Sequence, residues 1–295
     1  MKIAPILVLA SLSFKALACD VSLDTFYGQL REASFYENDP YLEPAPANMT
    51  EKEFYRTIQK FQKIYTPIFA TRGWDFKIVA SWKDPKKNAS AAKEKKQRLV
   101  YLSGGYARER FMSHDAYLTV ICHEIGHHLG GFPLKQMWWA TTEGQADYYS
   151  TLKCMKTFLK FDPQNKRTAL ALDLPQEIKT LCRSQYRQDD DYWICLRSAK
   201  AAEDYGKMQQ FLATNGRPKD LVSLLKQDTS KPEWTYEHHP EAQCRVDTKL
   251  QGALCNVDEK IMMNDKDERQ GSCHQTRGHT LGVRPSCWFI SKILN

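Results

Sequence analysis

No C-x-x-C pair occurs among the nine cysteines, which argues against a cysteine-held zinc cluster. Beyond its first residues the chain has no apolar run long enough to span a bilayer, so no transmembrane helix is expected in the mature chain. Motifs that read RNA or DNA are missing. The formal charge is +7; residues 1–18 hold Lys2 and Lys15 and no acid, so without them it falls to +5. That mild excess permits contact with anionic surfaces but requires no nucleic acid, and none is expected as a partner. No internal repeat is visible, which excludes a solenoid or propeller.

What is present suits a globular protein. The chain has 295 residues, 42% of them hydrophobic, enough for one large domain or two small ones. Its start reads as an export signal. Lys2 is the positive end, Ile6-Leu7-Val8-Leu9-Ala10 begins a short apolar stretch, and Ala16-Leu17-Ala18 forms an A-x-A cleavage site. Residues 1–18 are therefore expected to be removed, and the protein to reach the periplasm or the outside. Cys19 then becomes the first mature residue, an arrangement that resembles a bacterial lipoprotein. Two uses of Cys19 stay open: a lipid anchor to a membrane, and a disulfide.

Eight further cysteines, at 122, 154, 182, 195, 244, 255, 273 and 287, fit a disulfide framework in an oxidising compartment. Their pairing cannot be read from sequence, with one exception. Cys244 and Cys255 fall on one expected helix, where eleven residues span ~16 Å. A disulfide needs Cα atoms within about 7 Å, so these two should not pair.

The chemistry concentrates in His123-Glu124-Ile125-Gly126-His127-His128. Residues four apart on a helix share a face, so His123 and His127 can aim both imidazoles at one metal ion. Glu124 sits beside them, where it can reach a water without being a ligand. Two imidazoles leave a metal under-coordinated, and Glu143 supplies a candidate third ligand. Asp147, four residues on, can accept the free ring N–H of a ligating histidine, His123 first. His128 is rotated about 100° from His127, away from the metal face.

Ser103-Gly104-Gly105, then His123-Glu124-x-x-His127, then Glu143-x-x-x-Asp147 resembles the motif order of gluzincin metallopeptidases. His239-Pro240-Glu241-Ala242-Gln243-Cys244-Arg245 is similar to the H-P-x-x-x-x-R element of the family that includes the CAAX prenyl protease and the heat-shock protease HtpX, with their soluble periplasmic relatives. The resemblance spans roughly residues 98–250. It implies a zincin-like fold, a zinc cofactor and a polypeptide substrate. It also implies that His239 and Arg245 line the active site, His239 stabilising the oxyanion and Arg245 orienting the site. By the same resemblance, the strand nearest the metal helix, Leu99 to Leu102, is an edge that can pair with extended substrate. The integral-membrane members have several spanning helices and this chain is rich in cysteine, so which polypeptide is cut, and where, is not carried over.

Along the chain, Thr50-Glu51-Lys52-Glu53 reads as a capping box before Phe54, Ile58, Phe61 and Tyr65 at helical spacing, with Pro67 ending the run. Trp74 to Trp82 reads as a strand, and residues 83–97 as a solvated loop. Ser113 is expected to cap the metal helix and Gly130-Gly131 to stop it. The second site helix is expected from about Thr142 to Leu159, with Cys154 tethering it. Met137, Trp138 and Trp139 read as packing between two helices. Asp189-Asp190-Asp191 reads as a solvated turn, and Pro240 as the first turn of a helix ending near Leu254.

The expected class is α+β, predominantly helical: a zincin-like metallopeptidase with a small sheet beside the metal helix. The expected organisation is a signal at 1–18, a helical segment at 19–70, a peptidase domain at 71–260 and a cysteine-containing tail at 261–295. The function expected is zinc-dependent endopeptidase action on exported or cell-envelope proteins. The rival is a non-enzymatic envelope binding or assembly factor that keeps the scaffold.

Overall fold

The capping box opens the first helix of the described residues, α1, Glu51–Ala70. Thr50 Oγ1 accepts from the Glu53 amide at 3.3 Å, and the Glu53 carboxylate accepts from the Thr50 amide at 2.8 Å. The computed structural model of the protein describes residues 49–136 and 139–293. The expected signal at 1–18, Cys19 and its lipid anchor, the chain up to residue 48, Met137 and Trp138 lie outside the described residues. Phe54, Ile58, Phe61 and Tyr65 form the buried face of α1, as their spacing requires. Pro67 does not end the helix. It removes one hydrogen bond, but the turn after it buries Phe69 completely, stacked on Phe76 at 4.3 Å between ring centroids.

Three strands follow: β1 Asp75–Ser81, β2 Ala89–Glu94 and β3 Gln97–Ser103. The order is β1-β3-β2, with β1 parallel and β2 antiparallel to β3. Two expectations fail here. The segment 83–97 is not a solvated loop throughout, because residues 89–94 form β2 with a buried first half. Its small Ala and Ser side chains pack closely although they carry little hydrophobic signal. Leu99 to Leu102 is not an edge either, because β3 is paired on both sides. The outer edge of β1 is occupied at its centre: the Gln62 side chain donates to the Phe76 carbonyl at 2.7 Å and accepts from the Ile78 amide at 2.8 Å. The other edge of the sheet is β2.

A short helix, α2 Gly104–Ala107, turns the chain out of the sheet. A Cβ on Gly104 would lie 2.1 Å from the Trp82 carbonyl oxygen, and one on Gly105 would lie 2.1 Å from that of Pro85. Only glycines fit there. Helix α3, His114–Leu129, is capped by Ser113 Oγ, which accepts from the Ala116 amide at 3.2 Å. Every residue of α3 after His114 is buried.

Helix α4, Glu143–Tyr149, runs through a π-helical stretch, Ser150–Cys154, into α5, Met155–Leu159. Such π segments recur at functional sites. Four more helices follow: α6 Asn165–Leu170, α7 Gln176–Gln185, α8 Asp189–Ala213 and α9 Ala242–Leu254. Asp189-Asp190-Asp191 form the first turn of α8 rather than a separate turn, where acids favour the positive end of the helix dipole. Pro240 precedes α9, whose N-cap is Glu241.

The fold is mixed α+β, its helices outweighing one small sheet that lies against α3. One apolar core runs from Met49 to Cys273 and draws on α1, the sheet, α3, the π-helical stretch and α8. Among the described residues four disulfides join Cys122 to Cys154, Cys182 to Cys195, Cys244 to Cys287 and Cys255 to Cys273. Cys244 and Cys255 stay unpaired with each other, as helical rise demands. Among the described residues no helix is long and apolar enough to cross a membrane.

Candidate metal centre

Helices α3 and α4 cross closely. A Cβ added to Gly126 would stand 3.0 Å from both Cα and the carbonyl oxygen of Ala146. The crossing brings His123 and His127 of α3 against Glu143 of α4. One ligand atom from each of the three lies within 4.8 Å of the other two. All three side chains are buried.

Each histidine has one ring nitrogen committed elsewhere. Nδ1 of His123 lies 2.8 Å from Asp147 Oδ1, and Nδ1 of His127 lies 3.0 Å from the Thr141 carbonyl. Those acceptors place the protons on Nδ1 and turn both Nε2 atoms toward Glu143, at 3.0 Å from Oε2 and 3.6 Å from Oε1. Burial holds His127 well below the usual imidazole range, whereas at His123 burial is outweighed by the Asp147 and Glu143 carboxylates, which raise it.

Asp147 is fully buried and is held by three groups. Besides His123, Arg245 Nε donates to Oδ2 at 2.6 Å and Nη2 to Oδ1 at 3.1 Å, while Lys249 Nζ stands 2.7 Å from Oδ1. Burial alone would push the Asp147 carboxyl up; Arg245 and Lys249 reverse that and hold it well below the usual carboxylate range. Arg245 thus touches the carboxylate that orients His123. Lys249 is absent from the sequence reading. Its position four residues after Arg245, on the same face of an expected helix, was the available signal.

Glu124 is buried on α3 beside His123. His239 is half-buried, with Nδ1 3.3 Å from Glu143 Oε2. It is brought there by residues 236–239: the Glu143 amide donates to the Glu237 carbonyl at 3.3 Å. Lys135 donates to Glu143 Oε1 at 2.7 Å, a contact that the sequence does not announce. His128 faces away: Nε2 donates to the Leu99 carbonyl at 3.1 Å, and the ring stacks on Trp139. Trp139 therefore packs, though between α3 and Ala91 of β2 rather than between two helices.

The tail reaches the centre too. A Cβ on Gly144 would lie 2.2 Å from the fully buried Trp288 ring, so glycine lets the tail lie flat on α4. A second group of metal-ligating types, Asp228 with Cys244 and Cys287, is no ligand set, because both sulfurs are spent in a disulfide.

Comparison with protein-family profiles, with curated proteins and with solved structures finds no match. The kinship with gluzincins therefore stays a resemblance of motifs.

Proposed function

We propose that the protein is an exported zinc-dependent endopeptidase that acts on polypeptides. One observation carries this reading: His123 and His127 each have Nδ1 committed to a fixed acceptor, which leaves two Nε2 atoms and the Glu143 carboxylate converging, with the buried Glu124 next to His123 in the chain. Two imidazole nitrogens and a carboxylate form the donor set of catalytic zinc sites, with a position left for water. When bound, the ion supplies Lewis acidity toward a water and toward a peptide carbonyl.

The chain's own groups do the rest. Glu124 takes the proton of the attacking water and delivers it to the leaving amine. His239, at the edge of the site, donates a hydrogen bond to the developing oxyanion. Asp147 fixes the His123 ring, and Arg245 and Lys249 fix Asp147. Extended substrate pairs with β2, the edge that replaces the expected β3. A binding or assembly factor on the same scaffold would need no general base beside its ligands, and Glu124 favours the enzyme over that rival.

The test is purified protein with zinc measured by metal analysis and cleavage followed on a mixture of envelope proteins. Wild type should hold about one zinc per chain and cut. Glu124→Gln should keep fold and zinc and lose nearly all turnover. Retention of more than about a tenth of the rate removes Glu124 as the base. A zinc-loaded wild type that cuts nothing returns the reading to the binding factor.

A further inference from the structure

The far ends of the two site helices border a cavity that the peptidase reading does not use. Its volume is about 490 Å³, within the ~300–1,000 Å³ typical of small-ligand pockets. Leu129, the last residue of α3, and Tyr149, the last of α4, line it with Tyr65, and all three are buried. Ile68 and Met263 continue the wall. Three more lining residues are large, apolar and exposed: Phe161 at 66%, Ile261 at 50% and Met262 at 38%. Single exposed apolar residues need no explanation, but three lining one cavity do.

Charge decides the occupant. The lining holds Lys153, Lys160, Lys260 and Glu259, a net excess of two positive charges. Lys160 is taken by Glu259 at 2.7 Å. Lys153 differs: it is 3% exposed, and its Nζ donates to the neutral Asp258 carbonyl at 2.6 Å, with the Asp258 and Glu259 carboxylates acting on it only through space. An ammonium has three donors, and a buried one gains most from an anionic partner. An apolar chamber with apolar side chains exposed around it and a buried cation in its wall complements a ligand with a tail and one negative head.

We propose that this cavity binds an alkyl carboxylate, a single-chain fatty acid whose tail lies against Tyr65, Leu129 and Tyr149 and whose carboxylate meets Lys153. The site is separate from the metal centre, and its test does not depend on peptidase activity.

Calorimetric titration of the full protein with decanoate and with decanamide tests it, each with and without a metal chelator. Decanoate should bind saturably, one per chain, at least ~10-fold tighter than the amide, and the chelator should change nothing. Lys153→Met should bring decanoate down to the amide's affinity. Ile68→Trp, which fills the chamber from a half-exposed position, should abolish binding of both with the melting temperature kept. If Lys153→Met does not fold, the acid-to-amide ratio and Ile68→Trp still decide. Absent saturable binding, equal affinity for acid and amide, binding that survives Ile68→Trp, or binding lost with the chelator would each overturn the proposal.

Discussion

Gly126 stands against Ala146 with no room for a side chain, since a Cβ there would lie 3.0 Å from Ala146 Cα and from its carbonyl oxygen. Two proposed ligands lie on one side of that contact and the third on the other. Gly126→Ala should gain helix propensity of about 1 kcal/mol, yet it pushes α3 off α4. Zinc affinity should therefore fall at least ~10-fold while the melting temperature of metal-free protein changes little. Gly126→Val should be worse on both counts. Unchanged zinc affinity in both variants would show that the crossing distance does not set the site.

Asp147 balances two buried cations, so its charge matters more than its shape. Asp147→Asn should cost roughly 3–5 kcal/mol of stability, because Arg245 and Lys249 lose their partner. Zinc affinity should fall roughly 10–100-fold through the loosened His123 ring. Adding Lys249→Met should restore part of the stability and none of the affinity. Urea unfolding and zinc competition, run on Asp147→Asn, Lys249→Met and the double variant, separate the two effects. Additive losses would mean that Lys249 does not act on Asp147.

His239 touches Glu143 and is more open to solvent than the two ligand histidines. His239→Ala should lower the turnover rate ~100-fold, with a smaller effect on KM and with zinc content unchanged. Loss of zinc would make it a ligand. A full rate with full zinc would make the H-P-x-x-x-x-R likeness accidental.

Acid should expose a different pair. Asp115, in the first turn of α3, is gripped by Arg197 through Nε at 2.7 Å and Nη2 at 2.8 Å. Burial alone would raise its carboxyl, but the bonds from Arg197 and His114 bring it down to about 2. Near pH 3 the unfolded chain therefore binds a proton there that the folded chain does not. The stabilisation is complete above about pH 4 and disappears as pH falls toward 2. It amounts to about 2 kcal/mol. Urea unfolding between pH 6 and pH 2 should show this slope, and Asp115→Asn should flatten it. An identical slope in both proteins would remove the pair as the cause.

The legible part of this molecule was local. A capping box, a four-residue histidine spacing and an E-x-x-x-D spacing are short-range patterns, and the structure brings His123, His127, Glu143 and Asp147 together. The hairpin of β2 and β3 was not legible. Its strands are joined by Lys95 and Lys96, with Lys95 at a φ of 52°. That position usually holds glycine or asparagine, and a lysine there sends no turn signal. The strand itself is built of alanine and serine, too small to show a hydrophobic period. Lys135 and Lys249 were hidden for another reason. A buried cation reads as a surface lysine until its carboxylate partner is known, and those partners lie on other elements.

The wiring of Asp147 also sets an order in time. Arg245 follows it by 98 residues in the chain. A nascent chain therefore displays every proposed ligand long before α9 exists. Until α9 arrives, Asp147 has no cation to hold it in the interior, and the His123 ring has no fixed mate. Trp288 and the Cys244–Cys287 bond come later still. A truncated product ending near residue 230 would carry the whole motif without Arg245, Lys249 or Trp288 to support it.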